Sequence, residues 1–225
     1  MTNDYLDRGL DARAQPFKPL ARGTVKPHEA RVLIFASFAL MFFFALSLGP
    51  VGFGLALLGT LAGQIYNFWL RGTPFSWLAY FMGYAVLPFF IWDAVQSFSL
   101  VYLLLFPIGA LLVVAVHLAQ TLPDVETDRA LGVFGLAATL GRERAALVMW
   151  STLVSAQALA LITFFVLRFD LAVLLAAMLA SLALIATSAL IFYTRRTAAS
   201  ARVVFRLVAP SALILVAGWL TSVRN

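Results

Sequence analysis

The stretch FSLVYLLLFPIGALLVVAVHLA, Phe98–Ala119, contains no Asp, Glu, Lys or Arg, and it runs straight into QTLPDVETDR, Gln120–Arg129. A bilayer-spanning helix needs about 20 consecutive apolar residues. The first segment meets that need, and the second places three acids at its end. Six further apolar stretches, at 30–48, 51–70, 76–93, 144–167, 170–193 and 203–222, have the same character. Pro88, Pro107 and Pro210 lie inside three of the seven, as packed membrane helices allow when neighbours re-satisfy the backbone.

Composition agrees. Of 225 residues, 63% are hydrophobic and 12% charged, against about 45–50% apolar and about 25% charged in soluble domains. A soluble core and a disordered chain are both excluded. A membrane β-barrel would show alternating strands of about 10 residues, not continuous apolar runs. The expected fold is therefore an all-α polytopic transmembrane bundle of about seven helices, in a single membrane domain over 1–225. Residues 1–29 and 120–143 read as polar segments outside the bilayer.

The net charge of +6 reflects basic residues gathered on one side of the membrane, and nucleic acid is not an expected partner. Of the 16 Lys and Arg, only Arg168 and Arg224 fall on the side opposite the N-terminal segment. By the positive-inside rule the N-terminal segment and the 120–143 loop are cytoplasmic. The chain has no cysteine, which excludes thiolate chemistry and Cys-ligated metals. The polar first 30 residues do not read as a cleavable signal peptide.

The acids carry the chemistry. In Asn3-Asp4-Tyr5-Leu6-Asp7-Arg8-Gly9-Leu10-Asp11, the residues Asn3, Asp7 and Asp11 are spaced i, i+4, i+8. In the second cluster Asp124 and Asp128 are spaced i, i+4. On helices these spacings stack the side chains on one face, where like charges repel unless a cation is held between them. Carboxylates with an amide oxygen are hard ligands suited to Mg²⁺, an ion usually completed by water and substrate phosphate. Lys18, Arg22, Arg71 and Arg129 are the basic residues expected to meet phosphate charge. Solvated loop acids are the plain alternative, and spacing alone does not decide between the two.

At these residues the sequence resembles the UbiA-type superfamily of intramembrane prenyltransferases, which includes the 4-hydroxybenzoate polyprenyltransferases. The family's NDxxDxxxD run appears as NDYLDRGLD, followed by Lys18-Pro19-Leu20-Ala21-Arg22-Gly23. Its second DxxxD motif appears as Asp124 to Asp128, then Arg129, Gly132 and Leu140-Gly141. A tyrosine followed by a basic residue between the two appears as Tyr66 and Arg71. The resemblance implies a bundle around a central cavity with a cytoplasmic cap, Mg²⁺ as cofactor, and a polyprenyl diphosphate donor. It also implies a small lipophilic acceptor, aromatic by family preference. Asn3, Asp7, Asp11, Asp124 and Asp128 are then the expected metal set; the four aspartates, with Tyr66 beside the mouth, are the expected catalytic side chains, and Asn3 joins the basic residues in binding diphosphate. A bacterial inner membrane is the expected location.

Departures from the family pattern are Lys18 for a common Arg, Gln120 for Asn, Thr121 for an acid, and Gly72 where a second basic residue is frequent. Pro123 is expected to break the preceding helix and redirect the acids, and His117 to be a buried structural residue. Aromatic runs at Phe42–Phe44 and at Tyr80, Phe81 and Tyr84 read mainly as lipid-facing bulk or an interfacial belt. Family members usually have nine spans with the first motif at the end of the second. Seven spans follow the motif here, so the resemblance implies two missing helices, with either an internal methionine at position 1 or a cut or degenerate gene, and a chain that is inactive or poorly active as it stands. Two other readings compete: a truncated relative that only binds prenyl lipid, and an ion-coupled transporter. Transporter acids normally lie near the bilayer midplane, whereas these lie at helix ends.

Overall fold

The computed structural model describes residues 1–195 and 197–224, and the side chains of Ala14 and Tyr102 are not considered. Arg196, one of the basic residues that set the expected orientation, lies outside the described residues. Seven helices are long and apolar enough to span a membrane, and among the described residues there is no strand, only an isolated bridge between Phe169 and Val223. The chain is an integral, multi-pass membrane protein, with span limits within a few residues of those read from hydropathy, except for the fourth and for the start of the seventh, which lies at Ala198 rather than 203. It divides into two compact units, Met1–Phe98 and Ser99–Asn225.

In the first unit, helix α1 (Thr2–Ala14) precedes a short α2 (Pro19–Arg22), and three membrane helices follow: α3 (Pro27–Leu46), α4 (Gly49–Ile65) and α5 (Ser76–Val95). Helix α1 carries Asp4 in its first turn and Arg13 in its last, an order that complements the helix dipole. Helix α3 starts at Pro27, where a missing N–H costs nothing, and Glu29 Oε2 accepts from Lys26 N at 2.8 Å. Helix α4 continues as a π-helical turn, Tyr66–Leu70. Such wide turns are frequent at functional sites. Phe35, Phe43 and Phe44 are exposed on α3, as lipid-facing bulk should be.

The second unit opens with a 3₁₀ turn, Leu100–Leu104, before α6 (Leu105–Thr121). The span therefore starts several residues later than the apolar run, close to Pro107, which suits a helix's first turn. Short helices α7 (Val125–Ala130) and α8 (Leu136–Leu140) lead to α9 (Arg142–Ile162), α10 (Leu171–Arg195) and α11 (Ala198–Ser222). Ile108, Leu118, Met149, Leu153, Val208 and Trp219 are buried at the core, with Ala115, Ala119, Ala145 and Ala156 among them. Small residues of this kind let membrane helices approach closely. Interhelical hydrogen bonds add to the packing: Trp150 Nε1 donates to Ser188 Oγ at 3.0 Å, and Trp219 Nε1 to Thr163 Oγ1 at 2.8 Å. Each such bond contributes about 0.6–2 kcal/mol.

Candidate functional site

Helix α1 sets Asn3, Asp7 and Asp11 on one face, as their spacing requires. Asp7 and Asp11 are 8% and 4% exposed, so two carboxylates are held against the fold rather than solvated. Each has a cation. Arg71, the residue after the π-helical turn, forms an ion pair with Asp7. Lys18 Nζ donates to Asp11 Oδ1 and Oδ2 at 3.0 and 2.9 Å, and lies 3.2 Å from Asp4 Oδ1. Lys18 caps α2, and Pro19 at the first helical position fixes the chain there.

The electrostatics follow from these contacts. Partial burial would raise the Asp4 carboxyl, but the N-terminal ammonium at 3.1 Å and Lys18 outweigh it, and its pKa lies below the ordinary value. Burial would lower Lys18, but Asp11 and Asp4 outweigh that, and its pKa is raised. Asp4 was not among the residues singled out from sequence. Its signal was its place two turns before Asp11, which lets both acids meet one lysine. Arg22 is exposed at the end of α2 and makes no ion pair among the described residues.

Beside the π-helical turn, α4 and α5 line an open cavity of about 370 Å³. Tyr66, Tyr80, Tyr84, Gly59, Gly63 and Gly83 line it, together with Asn67. Tyr66 and Tyr80 stack edge to face with ring centroids 5.2 Å apart. A Cβ added at Gly63 or Gly83 would meet no atom within 4 Å. The cavity thus opens because those side chains are missing.

In the second unit, Pro123 does break the helix, through a 3₁₀ turn at Leu122–Asp124. Asp124 becomes the N-cap of α7, and Asp128 lies one turn further on. Both are half-buried, while Val125 between them is buried and anchors the turn. Arg129 Nε donates to the carbonyl of Ala138 at 2.6 Å, tying α7 to α8. Gly141, at φ +81°, lies under that guanidinium: a Cβ there would be 3.1 Å from an Arg129 nitrogen. The Leu-Gly of the second signature therefore has a local physical reason. His117 is buried in α6, as expected.

Could Mg²⁺ be held? Among the described residues, no three His, Asp or Glu side chains converge as a ready metal cluster. The donor set on α1 nevertheless fits a hydrated Mg²⁺. It offers two carboxylates and, on the same face, Asn3 Oδ1, which is buried with no hydrogen-bond partner. An orphaned hard oxygen beside two carboxylates is chemistry that a small divalent cation completes.

The model of the UbiA prenyltransferase family matches residues 1–215. A digeranylgeranylglyceryl phosphate synthase of Natronomonas pharaonis is 30% identical over 145 residues, which are 63% of this chain and 52% of that protein. A 4-hydroxybenzoate octaprenyltransferase of Haemophilus ducreyi is 32% identical over 135 residues, 58% and 48% of the two chains. The chain spans about half the length of the curated relatives it matches. Among solved structures, an apo UbiA homologue from Aeropyrum pernix K1 superimposes with a TM-score of 0.74 at 20% identity. That match covers 98% of this chain and 82% of that one. A UbiA homologue from Archaeoglobus fulgidus bound to GPP and Mg²⁺ gives 0.72 at 17% identity, covering 98% and 80%.

Proposed function

Starting from the fact that the chain belongs to the UbiA prenyltransferase family, we propose that it catalyses Mg²⁺-dependent transfer of a prenyl group from an allylic polyprenyl diphosphate to a lipophilic acceptor within the membrane. The observation that carries this reading is the paired cations on α1's carboxylates: Arg71 on Asp7, and Lys18 on Asp11. A site built to bind Mg²⁺ and diphosphate needs acids and bases together, poised to exchange partners when the ligand arrives.

Asn3, Asp7 and Asp11 would hold Mg²⁺, which would supply positive charge for the departing diphosphate, and Asp124 and Asp128 of the second unit offer carboxylates of the same kind. Arg71 and Lys18, relieved of their carboxylates, would turn to the phosphate oxygens, with Arg71 offering a bidentate fork and Lys18 a point charge. Arg129 and Arg22 stand as further phosphate contacts, Arg129 through the nitrogens not spent on Ala138. The Tyr66, Tyr80 and Tyr84 rings would stabilise the developing allylic cation by their π faces. An apolar setting within the membrane would keep water from the cation. The acceptor's electron-rich atom then bonds to the allylic carbon and loses its proton.

An aromatic acceptor is the favoured class, because this cavity's lining carries no charged side chain and suits a flat ring better than a second phosphate. The relatives named as digeranylgeranylglyceryl phosphate synthases favour a glycerol-phosphate lipid instead. The basic residues on the N-terminal side support a cytoplasmic mouth, in a bacterial inner membrane. The test is a reconstituted transfer assay with a labelled allylic diphosphate and both acceptor classes, with Mg²⁺ or with EDTA. Transfer that needs Mg²⁺ and is lost in Asp7→Asn and Asp124→Asn supports the reading. Unchanged transfer in both variants removes the site assignment, and product only on the glycerol-phosphate acceptor removes the aromatic one.

A further inference from the structure

The α4–α5 hairpin carries a second cavity at its other end. Tyr66 and Val51 are both on the α4 segment, fifteen positions apart, which is about 22 Å of helix. Around Val51 and Leu55 of α4 and Phe89, Trp92, Asp93 and Phe98 at the end of α5 lies a space of about 440 Å³. That volume falls in the small-molecule range of about 300–1,000 Å³. Nothing in the prenyl-transfer chemistry uses it.

Three features of its wall share one sign. The Asp93 carboxylate has no hydrogen-bond or ion-pair partner among the described residues, and it is seated against the backbone of Gly52, where a Cβ would come within 2.9 Å of Oδ2. The aromatic rings are mutually braced: Trp92 meets Phe89 at 5.4 Å and Phe98 at 4.8 Å, both edge to face. Finally, the cavity lies at the C-terminus of α5, the negative end of its dipole. There the chain turns through Gln96 at φ +53°, the one non-glycine residue with positive φ among those described. A carboxylate, aromatic rings and a helix C-terminus together attract an ammonium group and repel an anion. The rim is apolar and open: Val51, Val95 and Phe98 are 60%, 61% and 57% exposed, which suits acyl chains.

We propose that this cavity binds the ammonium headgroup of a zwitterionic phospholipid, from the leaflet at the end of the α4–α5 hairpin away from Tyr66. The ammonium sits between Asp93 and the ring of Trp92, and the acyl chains run over Val51 and Phe98. The site is independent of donor and acceptor.

The experiment places the purified protein in nanodiscs of equal phosphatidylethanolamine and phosphatidylglycerol with identical chains, and reads retained lipid by native mass spectrometry. The expected result is a preference for phosphatidylethanolamine of roughly fivefold, the scale of one solvent-accessible cation–π contact. Asp93→Asn and Trp92→Leu bring the ratio to about one, while Asp93→Glu keeps it. Equal retention by the unaltered protein, or an undiminished preference in Asp93→Asn, overturns the proposal. Displacement of the lipid by free ethanolamine at millimolar concentration overturns the lipid as its source. If Asp93→Asn does not yield folded protein, Trp92→Leu decides, since it leaves every charge in place.

Discussion

Lys18 Nζ lies 2.9 Å from Asp11 Oδ2, and the same ammonium reaches Asp4 two turns earlier on the same face of α1. Docking of α1 therefore depends on one lysine shared by two acids, and it should respond to pH at both extremes. The Asp4 pKa lies below its ordinary 3.8, held down first by the N-terminal ammonium and then by Lys18. Its contribution, of which the Lys18 share belongs to docking, is therefore present above 3.8 and lost as pH falls through the lowered value. The Lys18 pKa lies above 10.5, so its contribution is present below 10.5 and lost as pH rises through the raised value. A spin label at Gly9→Cys reports this cleanly, because the chain has no other cysteine and a Cβ at Gly9 meets nothing within 4 Å. Label mobility should stay flat from about pH 5 to 9 and rise at both ends, and Lys18→Ala should raise it throughout. A label indifferent to acid would show that Asp4 does not hold the helix.

The Asp7–Arg71 pair is asymmetric. The Asp7 side chain is 11% exposed and that of Arg71 30%. Removing the arginine strands a buried anion, whereas removing the acid leaves a cation with a path to water. Arg71→Ala should therefore cost more stability than Asp7→Asn, by about 1–3 kcal/mol. Thermal melting of both variants in detergent measures the difference. Equal losses would mean that Asp7 finds water or another donor once Arg71 is gone. Transfer activity should fall in both, because each residue also serves the proposed ligand.

The seven spans, the helical faces of the two Asp motifs, the break at Pro123 and the burial of His117 were all legible in the sequence. They depend on local period, helix-breaking chemistry and hydropathy. The pairing of Asp7 with Arg71 was not legible, since it depends on how α1 lies against the turn after α4, and no local pattern encodes that. Both residues were nevertheless named, each from its own motif. Asp4 was missed because its role comes from a lysine nearly three turns and a bend away. Arg129 was read as a phosphate ligand alone, and its bond to Ala138 depends on the course of the chain through Gly132. The glycine-lined cavity was also hidden, because an empty space beside Gly63 is set by what faces it, not by the glycine.

That cavity gives a test that leaves the acids untouched. Gly63→Leu and Gly83→Leu place side chains in open space, since a Cβ at either position meets no atom within 4 Å. The fold should survive, and Gly→Ala at each site should gain up to about 1 kcal/mol in helix propensity. The leucines fill the space between Tyr66 and Tyr84, so transfer should fall by about tenfold or more, equivalent to about 1.4 kcal/mol of barrier. Diphosphate affinity should hold, because the cations lie outside the cavity lining. A variant that folds, binds diphosphate and transfers at the unaltered rate would remove this cavity from the reaction.

In the second unit, α10 and α11 approach so closely at Gly218 that an added Cβ would lie 2.0 Å from the Cβ of Ala177. Carbon atoms pack at about 3.5–4.0 Å, so Gly218→Ala forces the helices apart. The cost should be about 1–3 kcal/mol, the range for overpacked cores, despite the better helix propensity of alanine. Ala177→Gly removes the opposing methyl and leaves room for it. The double variant then exchanges alanine and glycine across one contact, and the propensity changes on the two helices largely cancel. Its melting temperature should return close to that of the unaltered protein, with a coupling energy of about 0.5–3 kcal/mol between the sites. Additive losses in the double variant would show that Gly218 is required by its backbone conformation and not by Ala177.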